Sequence, residues 1–115
     1  MTLSTHVLDV ADGIPAREVE VTLSRCEGED RHEIARARTN GDGRIEAPFG
    51  GDLSEGEYEL TFRAGEYFAR CRTPAFYDRI TVRFRIENAQ GFREPQRYHV
   101  PLLLAPWGYS TYRGR

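Results

Sequence analysis

Hydrophobic and polar residues alternate with a period of two along much of the chain. The clearest run covers residues 80–86, where four apolar residues are separated by one threonine and two arginines. This period places successive side chains on opposite faces of an extended segment, so it predicts β-strands rather than helices. By the same pattern we predict strands at residues 3–10, 19–24, 32–39, 58–62, 80–86, 98–104 and 109–112. The strand at 32–39 is very polar, and we expect it at the edge of a sheet.

Turn-forming residues fall between the predicted strands at regular intervals. Clusters that combine glycine with aspartate occur at residues 12–15, 27–30, 40–43 and 50–52. Short strands at this spacing predict an antiparallel β-sandwich or barrel. Residues 65–71 lack the alternation, and we expect one or two helical turns there, before Pro74. Pro101 lies within the most hydrophobic strand, and because proline cannot donate to a ladder, we expect the strand to be interrupted there.

The composition is that of a globular domain of ordinary size. The 115 residues are 39% apolar and 30% charged, and the formal net charge is −2. We therefore expect residues 1–115 to form a single domain. The negative net charge argues against binding to nucleic acid, and no apolar run is long enough for a membrane-spanning helix. The N-terminus shows no signal-peptide pattern, and Cys26 and Cys71 lack metal-type spacing, so we expect a cytoplasmic protein with reduced thiols.

Three residues are candidates for chemistry: His6, Arg44 and His99. Each also has a simpler structural interpretation, because strand histidines are more often structural than catalytic and an arginine at a turn exit is usually exposed. Together they suit the hydrolysis of an activated carbonyl without a covalent intermediate. A neutral imidazole takes a proton from the attacking water, and a guanidinium stabilises the negative charge that develops on oxygen. The remaining histidine, His32, lies in a charged segment and is interpreted as a surface residue.

Other chemistries have weaker support in the sequence. There is no nucleophile elbow, no zinc-protease motif and no phosphate-binding loop. His6 and His99 with a carboxylate could bind zinc, but no closely spaced ligand pair supports this hypothesis. We therefore expect neither a metal nor another cofactor.

Three motifs occur in order along nearly the whole chain. The first is LSTHVLD at residues 3–9, followed by GIPA at residues 13–16, and the second is TNGDGR at residues 39–44. The third is YHVPLLL at residues 98–104, followed by Pro106 and by GYSTYRG at residues 108–114. Together they resemble the signatures of the 5-hydroxyisourate hydrolases, the transthyretin-like enzymes of urate breakdown.

The resemblance implies a fold, an assembly and a reaction. The implied fold is all-β, a transthyretin-like sandwich of two four-stranded sheets with one short helix. The implied assembly is a homotetramer, a dimer of dimers, with active sites in the channel between the dimers. The implied reaction opens the ring of 5-hydroxyisourate with water to give 2-oxo-4-hydroxy-4-carboxy-5-ureidoimidazoline.

The resemblance also assigns roles to residues at matching positions. The family's catalytic histidines and arginine match His6, Arg44 and His99. Residues expected to bind the substrate are His6, Arg44, Tyr112, Arg113 and Gly114. The family usually ends in Tyr-Arg-Gly-Ser, whereas this chain has Arg115 in place of the serine. We expect this difference to affect the rate and the fit of the substrate, while the class of reaction stays the same.

Two other functions remain open at this point. The first is a carrier that binds a small apolar ligand in a tetramer channel, although two imidazoles and a guanidinium would suit such a ligand poorly. The second is a structural module within a larger assembly. Whether His6, Arg44 and His99 converge is the observation that would best discriminate between these functions.

Overall fold

The structure, a computed structural model, describes residues 1–87 and 96–114. Its strands in chain order are β1 Thr2–Asp9, β2 Ile14–Pro15, β3 Glu20–Glu27, β4 Asp30–Arg38, β5 Arg44–Ile45, β6 Gly56–Phe62, β7 Ile80–Ile86, β8 Arg97–Ala105 and β9 Gly108–Thr111. A seven-residue helix, α1 Ala64–Arg70, lies between β6 and β7. Arg115 and residues 88–95 fall outside the described part of the chain.

The strands form two sheets. In the first, the order is β2-β1-β8-β9, and the two-residue strand β5 also pairs with β1. Because β8 pairs with β1 along its whole length, β2 and β5 follow one another along the opposite edge of β1. In the second sheet the order is β4-β3-β6-β7, and every pair is antiparallel.

Alternate side chains of the central strands fill the space between the two sheets. The alternation on β1 is regular, with buried residues at every second position from Leu3 to Asp9. The fully buried apolar residues of the two sheets include Leu3, Val7, Val21, Leu23, Leu60, Phe62, Leu102 and Leu104. Each such side chain stabilises the fold by about 1.5–3 kcal/mol relative to exposure. The residues in between face outward, and on β1 and β8 these are the polar candidates.

The predicted β-sandwich is confirmed, and the structure corrects its details in two ways. First, β1 and β8 pair in parallel, whereas the turn spacing predicted antiparallel strands. A parallel pair needs a long connection, and here the whole of the second sheet lies between the two strands in the chain. Second, the first sheet has five strands rather than four, because β2 and β5 are too short to show any periodicity in the sequence.

The predictions of a short helix and of a polar edge strand are confirmed. The helix expected at residues 65–71 is α1, which buries Ala64, Tyr67 and Phe68. The polar strand β4 lies at an edge of the second sheet. Within residues 1–87 and 96–114, no helix has the length and apolar character that crossing a bilayer requires.

The interruption expected at Pro101 is not found in the strand itself, because β8 is continuous from Arg97 to Ala105. Only its ladder with β9 is interrupted, since that ladder extends no further than Leu102. Beyond Pro101 the pairing resumes as an isolated bridge between His99 and Gly114. The chain after β9 therefore returns to β8 directly beside His99.

Candidate active site

The outward face of the first sheet collects polar side chains from its two central strands. On β1 the outward residues include Ser4 and His6, since Leu3, Thr5 and Val7 point into the core. In the parallel register Ser4 lies opposite His99 and His6 lies opposite Pro101. The two histidines are therefore on neighbouring strands, one row apart on the same face.

The turn at residues 40–43 brings Arg44 to the same face. The Asn40 side-chain oxygen accepts hydrogen bonds from the backbone N–H groups of Asp42 and Arg44, both at 2.9 Å. These bonds close a tight loop, and Gly43 within it has a φ of +76° that favours glycine. Arg44 emerges from the loop in β5, directly opposite His6 in the antiparallel register. Arg44, which is 38 residues from His6 in the sequence, thus becomes its direct neighbour across the sheet.

The same turn orients the imidazole of His6. The distance between His6 Nε2 and the backbone oxygen of Asp42 is 2.8 Å. A carbonyl oxygen only accepts hydrogen bonds, so Nε2 carries the proton and donates it. In the neutral ring, Nδ1 of His6 then has a free lone pair.

His99 is held from two sides. Its Nδ1 lies 2.8 Å from the Ser4 hydroxyl, where either atom can be the donor. Gly114 donates its backbone N–H to the carbonyl oxygen of His99 at 2.7 Å. A Cβ atom added at Gly114 would lie 2.5 Å from Cδ2 of the His99 ring, so a glycine is required for this close approach.

The surroundings of His99 favour its neutral form. Burial, followed by the positive charges of Arg44 and His6, lowers the pKa of His99 from its ordinary value of 6.5. Glu46 and a hydrogen bond with the backbone of Ser4 act in the opposite direction but do not reverse the effect. A histidine with a lowered pKa is unprotonated at neutral pH and is able to accept a proton.

The candidate residues line one cavity of about 820 Å³. Its lining consists of Thr2, Ser4, His6, Arg44, Ala47, Pro48, Arg97, Tyr98, His99, Tyr112 and Gly114. The three residues proposed for catalysis, together with Tyr112 and Gly114, are thus gathered at one place. No aspartate or glutamate is among these lining residues, so the cavity favours an anionic or strongly polar ligand.

Arg113 lies apart from this group. Its guanidinium carbon is 4.5 Å from the centre of the Tyr98 ring, in a cation–π contact. The residue lines a smaller neighbouring pocket of about 150 Å³ instead. The expected role of Arg113 in substrate binding stays a prediction, and Arg115 lies outside the described residues.

Sequence reasoning missed several polar residues of the cavity, among them Ser4 and Arg97. The signal was available in the alternation, because Ser4 lies two residues from His6 on β1 and Arg97 lies two residues from His99 on β8, so each shares a face with its histidine. What was lacking was the parallel pairing of the two strands, which brings Ser4 and His99 side by side.

The hypothesis of a zinc site receives no support from the described geometry. Within residues 1–87 and 96–114, no group of three or more His, Cys, Asp and Glu side chains is arranged to hold a metal ion. In the cavity, His6 Nε2 faces a carbonyl oxygen and His99 Nδ1 faces a serine hydroxyl.

Comparison with known proteins identifies the family. Residues 3–114 match the HIUase/Transthyretin family. The chain belongs to this family. The resemblance predicted from the three motifs is therefore confirmed.

Individual members of the HIUase/Transthyretin family are closely similar to this chain. The 5-hydroxyisourate hydrolase 2 of Rhizobium meliloti (strain 1021) is 47% identical over 118 residues, which cover 97% of this chain and 94% of the relative. The solved structure of Klebsiella pneumoniae 5-hydroxyisourate hydrolase has a TM-score of 0.84 and 41% identity over 100% of both chains. The structure of sea bream transthyretin in complex with thyroxine has a TM-score of 0.85 but 25% identity, covering 99% of this chain and 95% of that one.

Proposed function

We propose that this chain is a hydrolase that opens the ring of 5-hydroxyisourate with water. The observation that carries the proposal is the convergence of His6, Arg44 and His99 on one cavity whose lining residues include no carboxylate. Two relatives that carry the name 5-hydroxyisourate hydrolase support the choice of substrate. They are 47% and 46% identical to the chain over nearly their full length. A carrier of apolar ligands has less support, because ionisable groups line the cavity.

In the proposed mechanism His99 is the general base. Its lowered pKa keeps it neutral, and donation of Nδ1–H to Ser4 leaves the Nε2 lone pair free to take a proton from water. The water attacks a carbonyl carbon of the substrate ring, and the bond from that carbon to the ring nitrogen breaks. The proton held by His99 passes to the departing nitrogen, and the former carbonyl becomes a carboxylic acid, which ionises to a carboxylate by releasing its proton to solvent. The product is 2-oxo-4-hydroxy-4-carboxy-5-ureidoimidazoline.

Arg44 stabilises negative charge during this reaction. It lies opposite His6 across the sheet, and its guanidinium can donate two hydrogen bonds to the carbonyl oxygen as negative charge develops on it. His6, anchored by Asp42, presents a polar ring on the same face. No metal or cofactor takes part in these steps.

We also propose that the working form is a homotetramer in which the outward face of the first sheet meets a second copy. The cavity opens on this face, so a partner would exclude water from the histidines and strengthen each charge interaction. Tyr112, which is 57% exposed in the isolated chain, is placed to be covered by such a partner.

Loss of freshly generated 5-hydroxyisourate, followed by ultraviolet absorbance, tests the activity. The wild-type chain is expected to accelerate the decay, and His99→Ala and Arg44→Ala are expected to lower kcat by at least about 100-fold. His32→Ala and Arg79→Ala are matched controls, because both residues are exposed and neither lines the cavity. Wild-type decay at the spontaneous rate would disprove the hydrolase function. Full activity in His6→Ala, Arg44→Ala and His99→Ala would disprove the assignment of the catalytic residues but not the hydrolase function.

A further inference from the structure

Arg97 is a second arginine of the cavity that the proposed chemistry leaves without a role. It lies two residues before His99 on β8, on the same outward face, and its side chain is exposed. Residues two apart on a strand are about 6.7 Å apart, which is within the reach of an arginine side chain. A ligand bound beside His99 is therefore within reach of the Arg97 guanidinium.

Arg97 and Arg44 approach His99 from opposite directions. Arg44 lies opposite His6, one row further along the sheet than Ser4 and His99. Arg97 lies opposite Thr2, one row back in the other direction. On the sheet, His99 thus lies between the rows that carry Arg44 and Arg97.

The reaction changes the charge of the ligand at one position. Hydrolysis of a ring amide converts a neutral carbonyl into a carboxylate, which is ionised at neutral pH. Arginine binds carboxylates with two parallel hydrogen bonds, and none of the described residues that line the cavity is acidic and able to compete for this role.

We infer that Arg97 is a specificity-determining residue that binds the carboxylate created by ring opening. The inference rests on the proposed hydrolase function. It separates the roles of the two arginines: Arg44 acts on the carbonyl oxygen during the attack, and Arg97 receives the carboxylate as the ring opens.

A pair of stable ligands tests this inference without turnover. Orotate is a planar cyclic imide with a carboxylate, and orotamide is the same ring with a neutral carboxamide in its place. By isothermal titration calorimetry, the wild-type chain is expected to bind orotate about tenfold or more tightly than orotamide. In Arg97→Gln this preference disappears through weaker binding of orotate, while Arg97→Lys retains part of it. Arg79→Gln, which removes a surface charge outside the cavity, retains all of it.

Steady-state kinetics with 5-hydroxyisourate separate Arg97 from the catalytic group. Arg97→Gln is expected to weaken inhibition by orotate, which carries the carboxylate, whereas Arg44→Ala is expected to lower kcat. An Arg97→Gln protein that still prefers orotate as the wild type does would overturn the role of Arg97. So would a wild-type protein without any preference for orotate. Absence of turnover in the wild type, with the Arg97-dependent preference intact, would overturn the hydrolase function instead.

Discussion

The environment of His99 sets its chemistry more than its position in a motif does. Ser4 contacts Nδ1, Gly114 packs against the ring edge, and Arg44 contributes a positive charge. Each contact either fixes the ring or lowers its affinity for protons. The ring is therefore already oriented and already neutral before it accepts a proton from water, so little free energy is spent on preparing the base.

The pH dependence of activity follows from the lowered pKa of His99. The neutral imidazole is the active form, so activity is present above the pKa of His99 in the folded protein and is lost as the pH falls through it. Because that pKa lies below 6.5, the acid limb of kcat should lie below pH 6.5. Rates measured from pH 4.5 to 8 with freshly generated 5-hydroxyisourate check this expectation, and an acid limb above pH 6.5 would contradict it.

Ser4→Ala provides the matched variant for the same experiment. Loss of the hydroxyl frees the ring to rotate, which should lower kcat by roughly 3- to 10-fold. The backbone hydrogen bond with Ser4 that raises the pKa of His99 is kept in this variant, so the acid limb should stay below pH 6.5. Ser4→Thr keeps the hydroxyl and should restore kcat. An unchanged kcat in Ser4→Ala would show that the Ser4 hydroxyl does not position His99.

At the scale of single residues, the sequence indicated which residues are candidates for chemistry but not which residues surround them in the fold. His6, Arg44 and His99 could be selected because motif residues with acid–base or charge-stabilising side chains are few in a chain with three histidines. Ser4 and Arg97 could not be selected, because their place in the cavity depends on a register between strands about 90 residues apart. The position of the Arg113 guanidinium over Tyr98 depends equally on tertiary packing.

At the scale of elements, β1 connects the core, the helix and the site. Its inward residues pack in the core, its outward residues line the cavity, and its last residue is the buried Asp9. The Asp9 carboxylate accepts hydrogen bonds from the backbone N–H groups of Ala11 and Asp12 and, at 2.9 Å, from the hydroxyl of Tyr67 in α1. The helix is thereby tied to the end of the strand that carries His6.

Tyr67→Phe tests this connection. Burial, followed by the hydrogen bond to Asp9, raises the pKa of Tyr67, so its hydroxyl stays protonated and donates across the pH range of the assay. Removing the hydroxyl takes one donor from a buried carboxylate, and we expect a loss of about 1–3 kcal/mol in the free energy of unfolding, measured by urea denaturation. The control is Tyr109→Phe, because Tyr109 is 43% exposed. This variant should lose less than about 0.5 kcal/mol in the free energy of unfolding. Equal stability of the two variants would contradict the structural role of Tyr67.

The elements also show where sequence patterns stop being informative. Strand β7 was predicted because its alternation covers seven residues. Strands β2 and β5 have two residues each and form only because β1 presents free backbone groups along that edge. The helix was located because residues 65–71 lack alternation, and its apolar residues Tyr67 and Phe68 then face the core.

On the scale of the whole molecule, the two sheets present different outward faces. The second sheet is covered by ion pairs between glutamates and arginines, such as Arg31 with Glu59 at 3.1 Å and Arg85 with Glu57 at 3.0 Å. Such exposed pairs contribute little stability individually, but they keep the surface hydrated. The first sheet instead presents the cavity and the apolar side chain of Leu103. A second copy of the chain is therefore expected against the outward face of the first sheet and not against that of the second.

If the proposed tetramer is the working form, the mass of the protein in solution and its kcat should change together. Analytical ultracentrifugation of the wild-type chain should give a mass four times the 13.2 kDa of one chain. Leu103→Arg places a charge on the outward face of β8 without altering any residue that lines the cavity, and it should lower both the mass and kcat. Thr81→Glu, an exposed position of β7 on the second sheet, should change neither. If Leu103→Arg dissociated the assembly but kept full activity, the site would be complete within one chain. If the wild type sedimented as an active monomer, the exposed first sheet would need no partner at all.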